Sequence, residues 1–263
     1  MLLVPLITGA AAGNPQGVRI IYILLFAAIA LSLFCLRTPM EAALGISPIR
    51  PQNHQERRLV YYSVLLYSSV AVLALMALII WARAFGLLLP GAIAVIVFLL
   101  QAALKPLGRR THRAPDIRMI APLIGAIGLS STAAGAYYLA SGHFGAIATI
   151  VWLANWLFAA NQIHFVQLRI HSARALTAAE KFGHGKGFLL HQALSLLSMV
   201  LIWRTGWLPG LILVAFAPLW ARGFIWFCES PRPLQVRRLG MSELLYAIVF
   251  GILIITGFHH PLG

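Results

Sequence analysis

The chain has 263 residues, 60% of them hydrophobic and 10% charged, with a mean hydropathy of +0.87. A soluble domain carries roughly 25% charged residues, so there is too little polar material here to cover a water-exposed surface, and the solvent for most of the chain is lipid. The formal charge of +14 does not signal a nucleic-acid interface, because the basic residues sit in short connections between apolar runs and do not cluster on one soluble face.

A membrane-spanning helix needs about 20 mostly apolar residues. The chain opens on a shorter apolar stretch, residues 2–12, closed by the turn Gly13-Asn14-Pro15. At about 1.5 Å per residue it reaches only halfway across the hydrocarbon core, so a truncated helix is expected there. Further helices are expected near 18–36, 59–81, 86–104, 119–140, 143–160, 188–202, 207–220 and 242–256. The fold class that follows is an all-α polytopic membrane protein of about nine transmembrane helices in a single domain over 1–263. No basic n-region precedes the first apolar stretch, so it does not read as a cleavable signal peptide. Cys35 and Cys228 are far apart and form no motif, which argues against a disulfide framework or a zinc site.

The charges test this segmentation independently. Arg37, Arg50, Arg57 and Arg58 follow the second expected helix; Lys105, Arg109, Arg110, Arg113 and Arg118 follow the fourth. Arg169, Arg174, Lys181 and Lys186 follow the sixth, and Arg222, Arg232, Arg237 and Arg238 lie around the end of the eighth. The remaining basic residues, Arg19, Arg83 and Arg204, are all that the other set of connections holds. This alternation predicts a bacterial inner-membrane protein with its N-terminus inside and its C-terminus, His259-His260-Pro261, outside. The prolines and glycines within the expected helices (Pro90, Pro122, Pro209, Pro218, Gly125, Gly128 and Gly135) predict kinks and close helix packing.

The stretch from Asn155 to Arg174 carries the densest polar signal. If the sixth helix continues through it, Asn161, His164, Gln167, His171 and Arg174 share a face. Polar groups facing lipid cost several kcal/mol, so such a stripe should face the bundle interior, and His191 and Gln192 could close over it. One reading is a solvated helix end whose arginines only set orientation; the other is a polar pocket for an anionic head group. His164 and His171 are about 10 Å apart along a helix, too far for one metal ion. No metal or cofactor is expected, although haem ligation by His164 or His171 with His191 stays open. The chain has no hydrolase elbow, P-loop, dinucleotide fingerprint or HExxH motif, and no paired intramembrane carboxylates such as proton-coupled pumps use.

Nine helices and a polar motif after the sixth resemble the UbiA superfamily of membrane prenyltransferases. Those enzymes carry aspartate-rich motifs after helices two and six, the second resembling Asn-x-x-x-Asp-x-x-x-Asp. Asn161 fits its first place, but Phe165 and Arg169 stand at the aspartate positions, and Leu36-Arg37-Thr38-Pro39-Met40-Glu41 holds one acid and no aspartate pair. Leu239-Gly240-Met241-Ser242-Glu243 resembles a Gly-x-x-Glu element opening the last helix of relatives. A closer resemblance is to the YwiC-like family, carried by the opening Leu2-Leu3-Val4-Pro5-Leu6, by Arg37-Thr38-Pro39-Met40-Glu41 and by the polar end of helix six. That resemblance also implies a charged, aromatic stretch upstream of Met1.

UbiA chemistry uses carboxylates to hold magnesium ions that neutralise a diphosphate leaving group. Phe165 and Arg169 supply no such ligands, so magnesium-dependent prenyl transfer is not expected. Arginine and histidine can still bind an anion directly through charge-assisted hydrogen bonds. The expected function is binding of an isoprenoid, quinone or lipid, its anionic head facing Asn161, His164, Gln167, Arg169, His171, Arg174 and His191, with Arg37 and Glu41 from the second helix end. Two alternatives from other classes remain: a small permease for an anionic solute, or a non-catalytic assembly subunit of a respiratory enzyme. A lipid cavity would open sideways between helices; a permease would need a midplane site.

Overall fold

Among the described residues the secondary structure is nine α-helices and one 3-10 turn, with no strand. The computed structural model describes residues 2–45, 52–110, 115–172, 177–229 and 234–259, with side chains throughout except at 105–110, 115–119, 171 and 178. Arg50, Arg113, Arg174, Arg232, His260 and Pro261 therefore lie outside the described residues. In chain order the helices are α1 (Leu3–Ala12), α2 (Arg19–Ala43), α3 (His54–Ala82), α4 (Leu88–Arg110), α5 (Pro115–Ser141), α6 (Ala146–His171), α7 (Ala178–Arg204), α8 (Gly210–Cys228) and α9 (Val236–His259). All but α1 are long and apolar enough to cross a membrane. The protein is a polytopic membrane protein.

The helices outrun their apolar stretches. α2 continues through Arg37, Pro39 and Glu41, and α7 begins at a capping box in which Thr177 and Glu180 satisfy each other's backbone N–H groups. Hydropathy marks only the part of a helix that sits in hydrocarbon, whereas capping and continued backbone bonding carry it beyond. The connections shorten accordingly, and the polar residues expected in long loops stand on helix ends.

α1 is the shortest helix and among the most enclosed. It packs on α5, α6 and α9. A Cβ at Gly9 would lie 2.0 Å from the Ala133 carbonyl oxygen, so only glycine permits this approach of α1 to α5. Thr8, fully buried, turns its hydroxyl back to the Val4 and Pro5 carbonyls and accepts from Asn155 Nδ2 of α6 at 2.9 Å. Two apolar cores flank it. One joins α1 to α2, α3 and α5 through Leu6, Phe26, Leu78 and Ala136; the other joins α6 to α7, α8 and α9 through Phe158, Met199, Phe216 and Phe250.

The basic residues on the sparsely charged side have local tasks. Arg19 Nη1 donates to the Ala140 carbonyl at 2.6 Å, capping the end of α5. Arg83 terminates α3 in the left-handed region, at φ 48°.

Candidate functional site

Two features emerge where polar chemistry meets buried space. The first is a cavity of about 350 Å³ between α2, α4 and α5. α2 and α4 each pack on α5 but pack little on each other, which leaves a slot between them. Gly125 and Gly128 of α5 lie close against Gln101 and Val97 of α4 and form part of its floor. Leu33 and Phe34 of α2 and Val95 and Leu99 of α4 line it while remaining exposed, so its mouth opens sideways. The lining runs from Gly91 to Gln101 along α4, a rise of about 15 Å. Apolar side chains dominate, and the polar ones are few: Arg37, Gln101 and Thr132. Arg37 is paired with Glu41 one turn on, at 3.1 Å, and Gln101 Nε2 donates to the Ala121 carbonyl at 3.0 Å.

The second feature is a polar cluster within α6, α7, α8 and α9. Arg222 of α8, 7% exposed, donates through Nη1 to Glu243 Oε1 of α9 at 2.5 Å and through Nη2 to Asn161 Oδ1 of α6 at 3.0 Å. Its guanidinium lies 4.1 Å from the centre of the Phe165 ring and 4.7 Å from that of Tyr246. Gln162 Nε2 donates to the Glu243 carbonyl at 2.9 Å. Across the groove to α7, the His164 and His191 rings stand 4.6 Å apart. A Cβ at Gly223 would meet Gln192 Nε2 at 1.8 Å, so Gln192 reaches α8 immediately beside Arg222. Lys181 Nζ caps the end of α8, donating to the Trp226 and Glu229 carbonyls at 2.9 and 2.6 Å. Arg169 lies within electrostatic range of both Lys181 and Glu243.

Among the described residues, fourteen buried side-chain nitrogen and oxygen atoms have no hydrogen-bond partner, and nine of them belong to this cluster: one each on Asn161, Gln162, His164, His191, Ser195, Arg222 and Glu243, and two on Gln192. An unsatisfied buried polar group costs about 1–3 kcal/mol.

The residues singled out in the sequence are thus divided between two places. Asn161 enters the Arg222 network, His164 and His191 meet each other, Arg169 stands close by, and Gln167 is half-buried on the same helix end. α6 does continue through the polar stretch, as far as His171. The His171 side chain and all of Arg174 lie outside the described residues. Arg37 and Glu41 bond each other beside the slot. Phe165 is an apolar neighbour of Arg222 and of Phe188. No three of His, Cys, Asp and Glu converge among the described residues.

Sequence reading missed Arg222, which it placed among the orientation signals at a helix end. It lies inside α8 and is buried. The signal was present: Arg222 is the one charge in Leu219-Trp220-Ala221-Arg222-Gly223-Phe224-Ile225-Trp226, apolar on both sides, and an ionisable residue within a membrane helix normally has a named partner.

The family described as YwiC-like protein matches residues 1–134. The chain belongs to the YwiC-like family. Every residue lining the slot, from Leu2 to Thr132, lies inside the matched stretch. No curated protein and no solved structure matches this YwiC-like chain.

Proposed function

We propose that this YwiC-like protein binds a membrane amphiphile, an isoprenoid, quinone or lipid with an anionic head, in the slot between α2, α4 and α5. The observation that carries this reading is the sideways opening of an apolar cavity whose few polar groups include one cation. A volume of about 350 Å³ falls within the roughly 300–1,000 Å³ of small-molecule sites. Arg37 offers the head a charged donor in exchange for Glu41, and the apolar wall from Leu33 to Gly91 takes the tail. Each methylene moved from water to such a wall contributes about 0.8 kcal/mol. A tail already dissolved in lipid gains much less, so selection falls to the head and to the shape of the slot. We place the protein in the inner membrane, with Arg37 and the other basic helix ends in the cytoplasmic half.

Gly91 provides the test. Gly91 lines the slot and an added Cβ there meets nothing within 4 Å, so Gly91→Phe is the variant chosen to obstruct it. Native mass spectrometry of the detergent-purified protein should show a co-purified amphiphile that Gly91→Phe loses. No bound amphiphile, or equal retention in the variant, overturns the proposal.

A further inference from the structure

We propose that the slot limits the tail of its ligand: behind an anionic head at Arg37 it takes one apolar chain of no more than about a dozen in-line carbons. This rests on the reading of the slot given above and adds a length to it. The limit comes from a plug at the end away from Arg37. Side chains four residues apart stand above one another on a helix, so each wall of the slot leads to a definite residue one turn further on. On α2, Ala30 leads to Phe26, and on α5, Thr132 leads to Ala136. Gly91 of α4 leads to Leu87, the last residue of the 3-10 turn before that helix. Phe26, Leu87 and Ala136 are buried, at 9%, 4% and 0% exposure, and all belong to the same apolar core. The Phe26 ring lies against α5 at Gly135, where an added Cβ would meet its Cζ at 2.6 Å. Side chains thus fill the space between the three walls at this level.

The opposite end carries the polar groups. Arg37 stands there with Glu41, and Gln101, bonded to the Ala121 carbonyl, lies close against Gly125. A head held at Arg37 fixes where the chain begins, and Phe26 with Leu87 fixes where it stops. The α4 wall between the two ends rises about 15 Å. An extended hydrocarbon chain advances about 1.3 Å per carbon, which gives about a dozen carbons. A longer tail meets the plug and turns out through the sideways mouth between Phe34 and Leu99. Its remaining carbons then lie in the surrounding hydrocarbon and gain nothing from the protein.

Native mass spectrometry of the full chain in detergent, loaded with n-alkyl phosphates at equal mole fraction in the micelle, reads the limit. Occupancy of the unaltered protein should rise at least three-fold from octyl to dodecyl phosphate and stay level from dodecyl to hexadecyl. Phe26→Ala removes the plug, so occupancy should go on rising to hexadecyl phosphate. Gly91→Leu adds a side chain to the slot lining, so the rise should end by decyl phosphate. The open space at Gly91 lets this second variant decide the matter even if Phe26→Ala does not fold. Equal occupancy at every length, or a plateau that Gly91→Leu leaves in place, overturns the length limit while the slot stands as a binding site. No occupancy by any alkyl phosphate overturns the slot reading and the limit with it.

Discussion

Arg222 and Glu243 meet at 2.5 Å with both side chains almost fully buried, and the same guanidinium holds Asn161 on a third helix. One arginine thereby ties α6, α8 and α9 together. Removing one member of such a pair leaves the other charge uncompensated, at a cost of about 3–5 kcal/mol, whereas replacing both with apolar residues of similar volume is often neutral or stabilising. Glu243→Leu and Arg222→Met should each lower the thermal unfolding midpoint in detergent, and the double variant should recover most of the loss. Additive losses in the double variant would show that the two residues act separately.

The slot makes its own demand on Arg37. With a head group bound there, Arg37→Ala should weaken retention of an anionic amphiphile by about 1.5–3 kcal/mol, the range for a hydrogen bond to a charged group. Arg58→Ala, exposed near the start of α3 and outside the slot lining, should change it little. Lipid exchange followed by native mass spectrometry measures both, and equal effects would point to general surface charge.

Gly9 and Gly91 form a matched pair for packing. At Gly9 an added methyl meets backbone at 2.0 Å, so Gly9→Ala should destabilise by about 1–3 kcal/mol through overpacking. At Gly91 the methyl enters open space, and Gly91→Ala should leave the unfolding midpoint unchanged. Thermal unfolding of the two variants side by side checks both.

Chemistry and orientation can be checked without a known ligand. Incubation with a prenyl diphosphate, magnesium and an aromatic acceptor should yield no transfer product, since Phe165 and Arg169 provide no carboxylate for the metal. Product formation abolished by chelation would restore the enzyme reading. A periplasm-active phosphatase fused after Gly263 should be active, the outcome expected when the charge alternation sets the orientation. Activity from a cytoplasm-active reporter alone would reverse the orientation.

The fold class was legible because hydropathy and charge alternation report the same segmentation by different physics. Helix ends were less so: nothing in the hydropathy of Arg37-Thr38-Pro39-Met40-Glu41 says that α2 carries on through it. In the polar stretch, the shared face was read on the condition that the helix expected to end near 160 ran on, and α6 does run on to His171. It could not anticipate which helix each side chain would meet. Asn161 finds α8, His164 finds α7, and Arg37 lies by a cavity shared with α4 and α5. Those pairings depend on how helices distant in sequence are arranged around α1, which a period of 3.6 residues does not encode. Arg222 was hidden for a related reason: a lone arginine near a helix end looks the same whether it faces head groups or a buried glutamate.

The enclosure of α1 bears on how the chain is made. Ten residues cover only half the hydrocarbon, so α1 gains little by entering the bilayer alone. Its partners α5, α6 and α9 all follow it in the chain and are synthesised after it. α1 therefore cannot reach its final seat until α9 has been made.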